Sequence, residues 1–406
     1  MAGCGLVSCP SRLASRTGPA LIWVLICCWT AAWGWSQRRP SGVSWHFFPY
    51  GVHALFGPSG THLYAEHPDL QIGPLAFVVT APLVLLPDTV ARIVAQLAMT
   101  AAGPAMLAVL SPLLPGTASR HRLRLLLAGL VLAPAWTALS VRWMHLEDVL
   151  ALVFLVAAMR AVAGRRQVVA GLALAAAVAS KPWAVGFLPI LAVLPRRRAG
   201  SALRWAAAGI FAAWGPFLLC DIGTLHALRP PLGVSGSSGL RALGYRGGAT
   251  PAWGRTIQLV AAPVAGLGAV LRRRWAGVPL AVIALRIALD PQDLPYYVAG
   301  AVLAALAFDL LVTNWTAPWT ALVTSLALWQ PFATDFPRRF ETSHGLVLWW
   351  FEHPDAVGYI HLAWFALILL TVLAVPGRWL SPRGEAPTGA ADSPATEPAC
   401  LRTGTS

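Results

Sequence analysis

Lysine is almost missing from this chain. Of 30 basic residues one is a lysine, Lys181, and the other 29 are arginines. Charge of either sign is scarce: Asp and Glu number 16, and charged residues are 11% of the chain, against about 25% in soluble domains. That excludes an ordinary soluble domain. Cysteine is scarce too. The six cysteines (Cys4, Cys9, Cys27, Cys28, Cys220, Cys400) form no C-x-x-C pair and have no histidine at metal spacing, which argues against a disulfide framework and a structural zinc. Cys27 and Cys28 read as packing residues of an apolar helix. No barrel-like alternation of apolar and polar residues is present, so chain that enters lipid must satisfy its backbone as helices.

What is present is apolar: 57% of residues, with a mean hydropathy of +0.64. The apolar runs recur along the whole chain, which predicts an all-α fold, a polytopic transmembrane bundle of about 11–13 helical segments. The segments fall near 19–35, 72–87, 92–114, 123–141, 147–163, 167–180, 182–195, 202–219, 257–271, 277–289, 295–312, 316–333 and 357–376. The first is read as an uncleaved span, because it is long for a signal core and lacks an A-x-A site. The net charge of +14 does not point to nucleic acid, since the arginines are spread between apolar runs. Arginine-rich, lysine-poor usage fits a GC-rich bacterial genome.

The arginines orient the chain by the positive-inside rule. Arg120/Arg122/Arg124, Arg160/Arg165/Arg166, Arg196/Arg197/Arg198, Arg272/Arg273/Arg274 and Arg378/Arg383 are assigned to the cytoplasm, with residues 1–18. Residues 19–376 then form one multi-pass domain whose outer loops include 36–71 and 220–256. Within 220–256, Gly233–Gly248 reads as a flexible linker or a lid. Residues 377–406, rich in Pro, Ala, Gly, Ser and Thr, form a disordered cytoplasmic tail. Stretch 72–114 must cross a net single time, so 72–87 is expected to re-enter or to lie at the outer interface.

Lys181 sits between 167–180 and 182–195, flanked by arginines on both sides. Each arm has about 14 residues, or roughly 21 Å of helix, short of the roughly 30 Å hydrocarbon core. Ser180-Lys181-Pro182 is therefore the tip of a hairpin, and Pro182 suits a chain reversal. An amine at that depth either faces a polar cavity or partner charge, or snorkels to the surface.

Acidic residues collect in the outer loops. Glu66 and Asp69, with His67 and Gln71 beside them, are the only acids in the first 87 positions. Asp69 fits a general base near an interface equally well as a cap of the next helix. His46, His53 and His62 are too irregularly spaced for metal ligands. In "VRWMHLEDVLALVF", from Val141, residues Arg142, His145, Glu147 and Asp148 lie at the mouth of two helices, more polar groups than a cap needs. "LDPQDLPYY" places Asp290 and Asp293 before another span.

The acidic first outer loop, the stretch "LALVFLVAAMRAVAGRRQVVAGLALAAAVASKPWAVGFLPILAVLP" from Leu150 and its preceding acids together resemble the glycosyltransferase-C superfamily. Within it they are most similar to family 87, the bacterial polyprenyl-phosphate-mannose-dependent mannosyltransferases. The resemblance covers roughly residues 20–375. It implies an inverting hexosyltransferase of the cell envelope, embedded in the cytoplasmic membrane, with its site on the extracytoplasmic face. A polyprenyl-phosphate-linked sugar would be moved to a lipid or glycan acceptor, with no cofactor and no required metal. Carried over, the base is Asp69, with Glu66 in reserve. Lys181, Arg142, His145, Glu147, Asp148, His67 and Gln71 would bind donor or acceptor. The family's acid lies nearer the first span, where this chain has Ser44 and Trp45. That departure keeps two other readings open, a transporter or lipid-handling protein and an inactive transferase relative.

Overall fold

The computed structural model of the protein describes residues 14–39, 41–228, 232–328 and 345–374. Expectations for residues 1–13 and 377–406 lie outside these. Among the described residues the chain is helical, with a lone bridge between Gly233 and Ala249 in place of a sheet. Five helices are long and apolar enough to cross a membrane: Asp88–Leu113, Ala118–Trp143, Arg196–Cys220, Gly254–Leu271 and Pro354–Ala374. Shorter apolar helices fill the space between them.

We number the helices used below in chain order. Helix α1 is Ala14–Ser36 and α2 is Phe47–Leu55. Next come α3 Leu63–Glu66, α4 Pro74–Thr80 and α5 Asp88–Leu110. Helix α6 is Ala118–Thr137, α7 Leu146–Ala163, α8 Gln167–Ser180 and α9 Arg196–Cys220. After the four-residue turns α10 Thr224–Ala227 and α11 Gly239–Ala242 come α12 Gly254–Leu271, α13 Val278–Leu289 and α14 Tyr297–Leu311. The last are α15 Trp319–Ala327, α16 Leu346–Glu352 and α17 Pro354–Ala374.

Helix α14 is apolar on every side and almost wholly buried, as is the middle of α7, so these two form the centre of the bundle. Helix α9 turns Leu203, Phe211 and Leu219 outward and lies at the periphery of the bundle. Helix α8 packs between α7 and α9, its alanines letting the backbones approach.

The two arms around Lys181 differ. Residues 167–180 are an α-helix, whereas Pro182–Val193 forms a 3₁₀ helix rather than a second α-helix. Pro182 and Pro189 have no amide to donate, and the narrower winding lets Gly186 approach Val282 on α13. Lys181 is extended between the arms, with φ −149° and ψ 116°. Arg165 and Arg196, at the far ends of the two arms, border one surface depression. The hairpin therefore returns to the side from which it started.

Stretch 73–88 also begins and ends on one side. The Gly73 amide donates to the Ser180 carbonyl (2.9 Å), and a Cβ at Gly73 would collide with the Ala179 carbonyl. At the other end the Asp88 carboxylate accepts from the Trp45 indole (2.8 Å). Helix α4 has Gly73 as its N-cap and Pro74 next, so Asp69 does not cap it.

Arg196–Arg198 form the first turn of α9, with Pro195 as its N-cap. The reading of Gly233–Gly248 needs a correction: it is not a linker. Val234 and Ser235 donate to the carbonyls of Gly248 and Pro291, Ser238 caps α11, and Gly239 lies against the Ala288 carbonyl. Leu240 is buried against α13 and α17. Several arginines at the opposite end serve as helix caps. Arg124 donates to the carbonyls of Asp309, Leu310 and Thr313 at the end of α14, and Arg272 and Arg274 donate to those of Thr371, Leu373 and Ala374 at the end of α17.

Candidate functional site

The site begins where α6 loses its regularity. After Pro134, residues Ala138–Trp143 widen into a π-helical turn, and Met144 ends it in the left-handed region (φ 53°, ψ 52°). Such turns and such a backbone for a non-glycine residue recur at functional sites. The turn leaves the carbonyls of Val141, Arg142 and Trp143 open. The amides of Gly42, Val43 and Ser44 donate to them in register, at 3.0, 3.0 and 2.9 Å. Gly42 can do this because it too is left-handed (φ +71°), and a Cβ there would press on Arg92 and on the Met144 sulfur. The start of the first outer loop is thereby stitched to the start of α7.

That seam presents His145, Glu147 and Asp148 at the first turn of α7, the end at which a helix favours negative charge. The tip of the α8 hairpin brings Lys181 to meet them. Lys181 Nζ donates to Glu147 Oε1 at 2.7 Å and stands 3.9 Å from Asp148 Oδ2. His145 Nδ1 lies 2.9 Å from the same Glu147 oxygen and 3.8 Å from Asp148 Oδ2. Ser44 Oγ meets His145 Nε2 at 3.0 Å. The Trp183 indole donates to Asp148 Oδ1 at 3.3 Å. The His145 ring stacks on Tyr296, with centroids 3.6 Å apart. Glu147 Oε2 and Asp148 Oδ2 are buried without a hydrogen-bond partner among the described residues. His145, Glu147 and Asp148 also offer ligand atoms within 4.8 Å of one another. A divalent cation at those atoms would have to displace the Lys181 ammonium from Glu147.

Beside this cluster lies a cavity of about 340 Å³. Among the described residues its wall includes Lys181, Arg255 and Arg286 but no Asp or Glu; other side chains with polar atoms there are Gln71, Gln258, the tyrosines 64, 296 and 297 and the tryptophans 183 and 214. The carboxylates stand one layer behind, each next to a cation. Asp290 Oδ2 is 3.2 Å from Arg255 Nη1 and 3.9 Å from Arg286 Nε. The Arg286 guanidinium is held between Trp183 and Tyr297, 4.3 and 4.2 Å from their ring centroids. In the first outer loop the Tyr64 hydroxyl donates to the Ile72 carbonyl (2.7 Å), and burial pushes its pKa well above the usual phenol value.

Ile210, Trp214 and Leu218 of α9 line this cavity and also a second, almost purely apolar furrow of about 390 Å³ that runs past Leu188, Phe211 and Leu219. The cavity and the furrow thus share one wall, formed by these three side chains of α9.

Four residues expected at a binding site (His145, Glu147, Asp148 and Lys181) meet in one cluster. Gln71 joins the cavity wall. Arg142 is buried one turn away in the π-helical segment, its guanidinium 5.7 Å from the Trp143 ring. Glu66 and Asp69 are exposed and line neither cavity nor furrow. His67 is held in the loop between the Tyr50 hydroxyl (2.8 Å) and Ser59 (3.3 Å). Ser44, Trp183, Arg255, Arg286, Tyr296 and Tyr297 were not expected. Arg286 carried a readable signal: like Lys181, it is a lone cation inside an apolar run, "VPLAVIALRIAL". Neither a family model, nor a curated protein, nor a solved structure matches this chain.

Proposed function

We propose that the protein is a membrane-embedded glycosyltransferase that moves a hexose, mannose being the first candidate, from a polyprenyl-phosphate donor to a lipid or glycan acceptor at the extracytoplasmic face. The observation that carries this reading is the cavity wall, which among the described residues displays three cations and no carboxylate, and which shares Ile210, Trp214 and Leu218 with an apolar furrow. Such a surface matches an anionic headgroup on a hydrocarbon tail. Lys181 and Arg255 bind the phosphate, and the stacked guanidinium of Arg286 fixes its orientation. As the sugar–phosphate bond breaks, these cations stabilise charge on the leaving lipid phosphate. Asp148, one layer behind the wall, takes the acceptor proton through one bridging water, because its Oδ2 is buried beside Lys181 and has no hydrogen bond to give up. Asp69 and Glu66, exposed on the loop that delivers Gln71, are the alternative bases.

The test uses protein reconstituted in lipid, a radiolabelled polyprenyl-phosphate hexose and a crude acceptor extract. Asp148→Asn is expected to lower transfer by about 10²–10⁴-fold, the usual contribution of a general base. Asp69→Asn is expected to retain it. The reverse pattern would move the base to the loop. Donor binding with no transfer by the unaltered protein would instead identify a lipid-handling or transport protein, which buried cations also suit.

A further inference from the structure

The position at which this chain has serine instead of an acid carries a second chemistry. A carboxylate can only accept hydrogen bonds, so the 2.9 Å contact between Glu147 Oε1 and His145 Nδ1 places the proton of a neutral imidazole on Nδ1. Nε2 is then the lone-pair nitrogen, and the Ser44 hydroxyl, 3.0 Å away, must donate to it. Hydroxyl, imidazole and carboxylate stand in series. This is the order in which a base activates a nucleophile and a third group orients the base.

A latch between loop and helix would need only one of these bonds. Here both ring nitrogens are engaged and the ring plane is set by Tyr296. The bond is also framed by two left-handed residues, Gly42 on the loop and Met144 beside His145. A non-glycine residue in that region costs on the order of 1–3 kcal/mol and persists where surrounding structure demands it.

We infer that Ser44 is an activated nucleophile and that this site performs acyl transfer on a carboxylic ester of a membrane lipid. In the first half-reaction Ser44 Oγ bonds to the ester carbonyl carbon. The hydroxyl proton passes to His145 Nε2, the ester C–O bond breaks, and the leaving alkoxide takes that proton. In the second, water or a lipid hydroxyl gives its proton to Nε2 as its oxygen bonds to the acyl carbon, the Ser44 Oγ–acyl bond breaks, and Ser44 Oγ takes the proton back from Nε2. The net change is ester hydrolysis or ester exchange, with no redox step and no cofactor. Glu147 is a positioning residue throughout, holding the imidazole in the right tautomer, with Lys181 fixing the carboxylate from the other side.

The test is covalent labelling of the full chain in lipid nanodiscs with a fluorophosphonate probe, read by mass spectrometry of the peptide that contains Ser44. Labelling at Ser44 is expected in the unaltered protein, absent in Ser44→Ala, and at least about 100-fold slower in His145→Phe, as for loss of a general base. Ser44→Cys guards against a folding artefact: fluorophosphonate labelling is lost, and the thiol introduced there alkylates with iodoacetamide faster than Cys27, Cys28 or Cys220. No adduct in folded unaltered protein overturns the proposal. So does an adduct that survives Ser44→Ala, or an introduced thiol that alkylates no faster than the native ones. Labelling needs no sugar donor, so this result is independent of glycosyl transfer.

Discussion

Lys181 Nζ and Glu147 Oε1 are 2.7 Å apart, and both side chains are nearly enclosed, at 11% and 2% exposed. The bond joins the tip of one helical hairpin to the first turn of another helix. Its energetics are asymmetric. Removing one partner strands a buried charge and costs about 3–5 kcal/mol, whereas removing both is close to neutral. Lys181→Met is therefore expected to lower thermal stability sharply in detergent, and the double variant Lys181→Met/Glu147→Gln to recover most of the loss. Additive losses in the double variant would mean that the pair is not coupled.

Arg286 is flanked by two aromatic faces and its guanidinium is planar, so lysine cannot replace it. Arg286→Lys keeps the charge and loses both stacks, which are worth on the order of 2 kcal/mol when desolvated. A polyprenyl-phosphate headgroup is expected to bind the variant at least about tenfold more weakly, measured by displacement of a fluorescent phospholipid. Equal affinity would remove the guanidinium from the binding surface.

Asp221 links the end of α9 to the first outer loop. His62 Nδ1 lies 3.1 Å from its carboxylate, and the Gly223 amide donates to it at 2.8 Å. The hydrogen bond from His62, followed by that from Gly223, holds this carboxyl below its ordinary value of 3.8. A carboxylate depressed in the folded state contributes its stabilisation above the unfolded value and loses it as pH falls through the folded one. Protection factors of the amides of residues 60–66, which compare exchange with its intrinsic rate at each pH, are therefore expected to fall as the solution is acidified below about pH 4. In Asp221→Asn that acid-dependent step disappears and exchange is already fast at neutral pH. An unchanged acid step would place the titrating group elsewhere.

The arginine-bearing turns and the Lys181 cluster are expected on opposite faces of the membrane. In a cysteine-free background, Leu243→Cys should react with an impermeant maleimide in intact cells, and Arg197→Cys only after lysis. Both residues are exposed. The opposite pattern would invert the topology.

The bundle was largely legible because lipid leaves the backbone few options. Apolar runs 147–163 and 167–180 correspond closely to α7 and α8. Lys181 and its partners could be found because an ammonium in an apolar run demands a counter-charge, and Glu147 and Asp148 exceed what a helix start requires. The 3₁₀ form of Pro182–Val193 was not legible: an apolar run of that length suits either winding, and close packing on α12 and α13 decides between them. Asp69 and Glu66 stand out in a region otherwise without acids, yet burial depends on how the loop folds back, and the structure leaves both in solvent. Ser44 is marked in the sequence only as a departure from the family's acid, and nothing there pairs it with His145. Its partner lies 101 positions away and is reached only through the π-helical turn, whose extra residue per turn has no pattern in side-chain periodicity.

The furrow between Leu188 and Leu219 changes what concentration means for this protein. A ligand arriving by that route never dissolves in water. Its supply would be set by mole fraction within the bilayer and by two-dimensional diffusion, so occupancy would follow how many ligand molecules share each square micrometre of membrane. Diluting the cells would leave it unchanged, whereas diluting the lipid with inert phospholipid would empty the site.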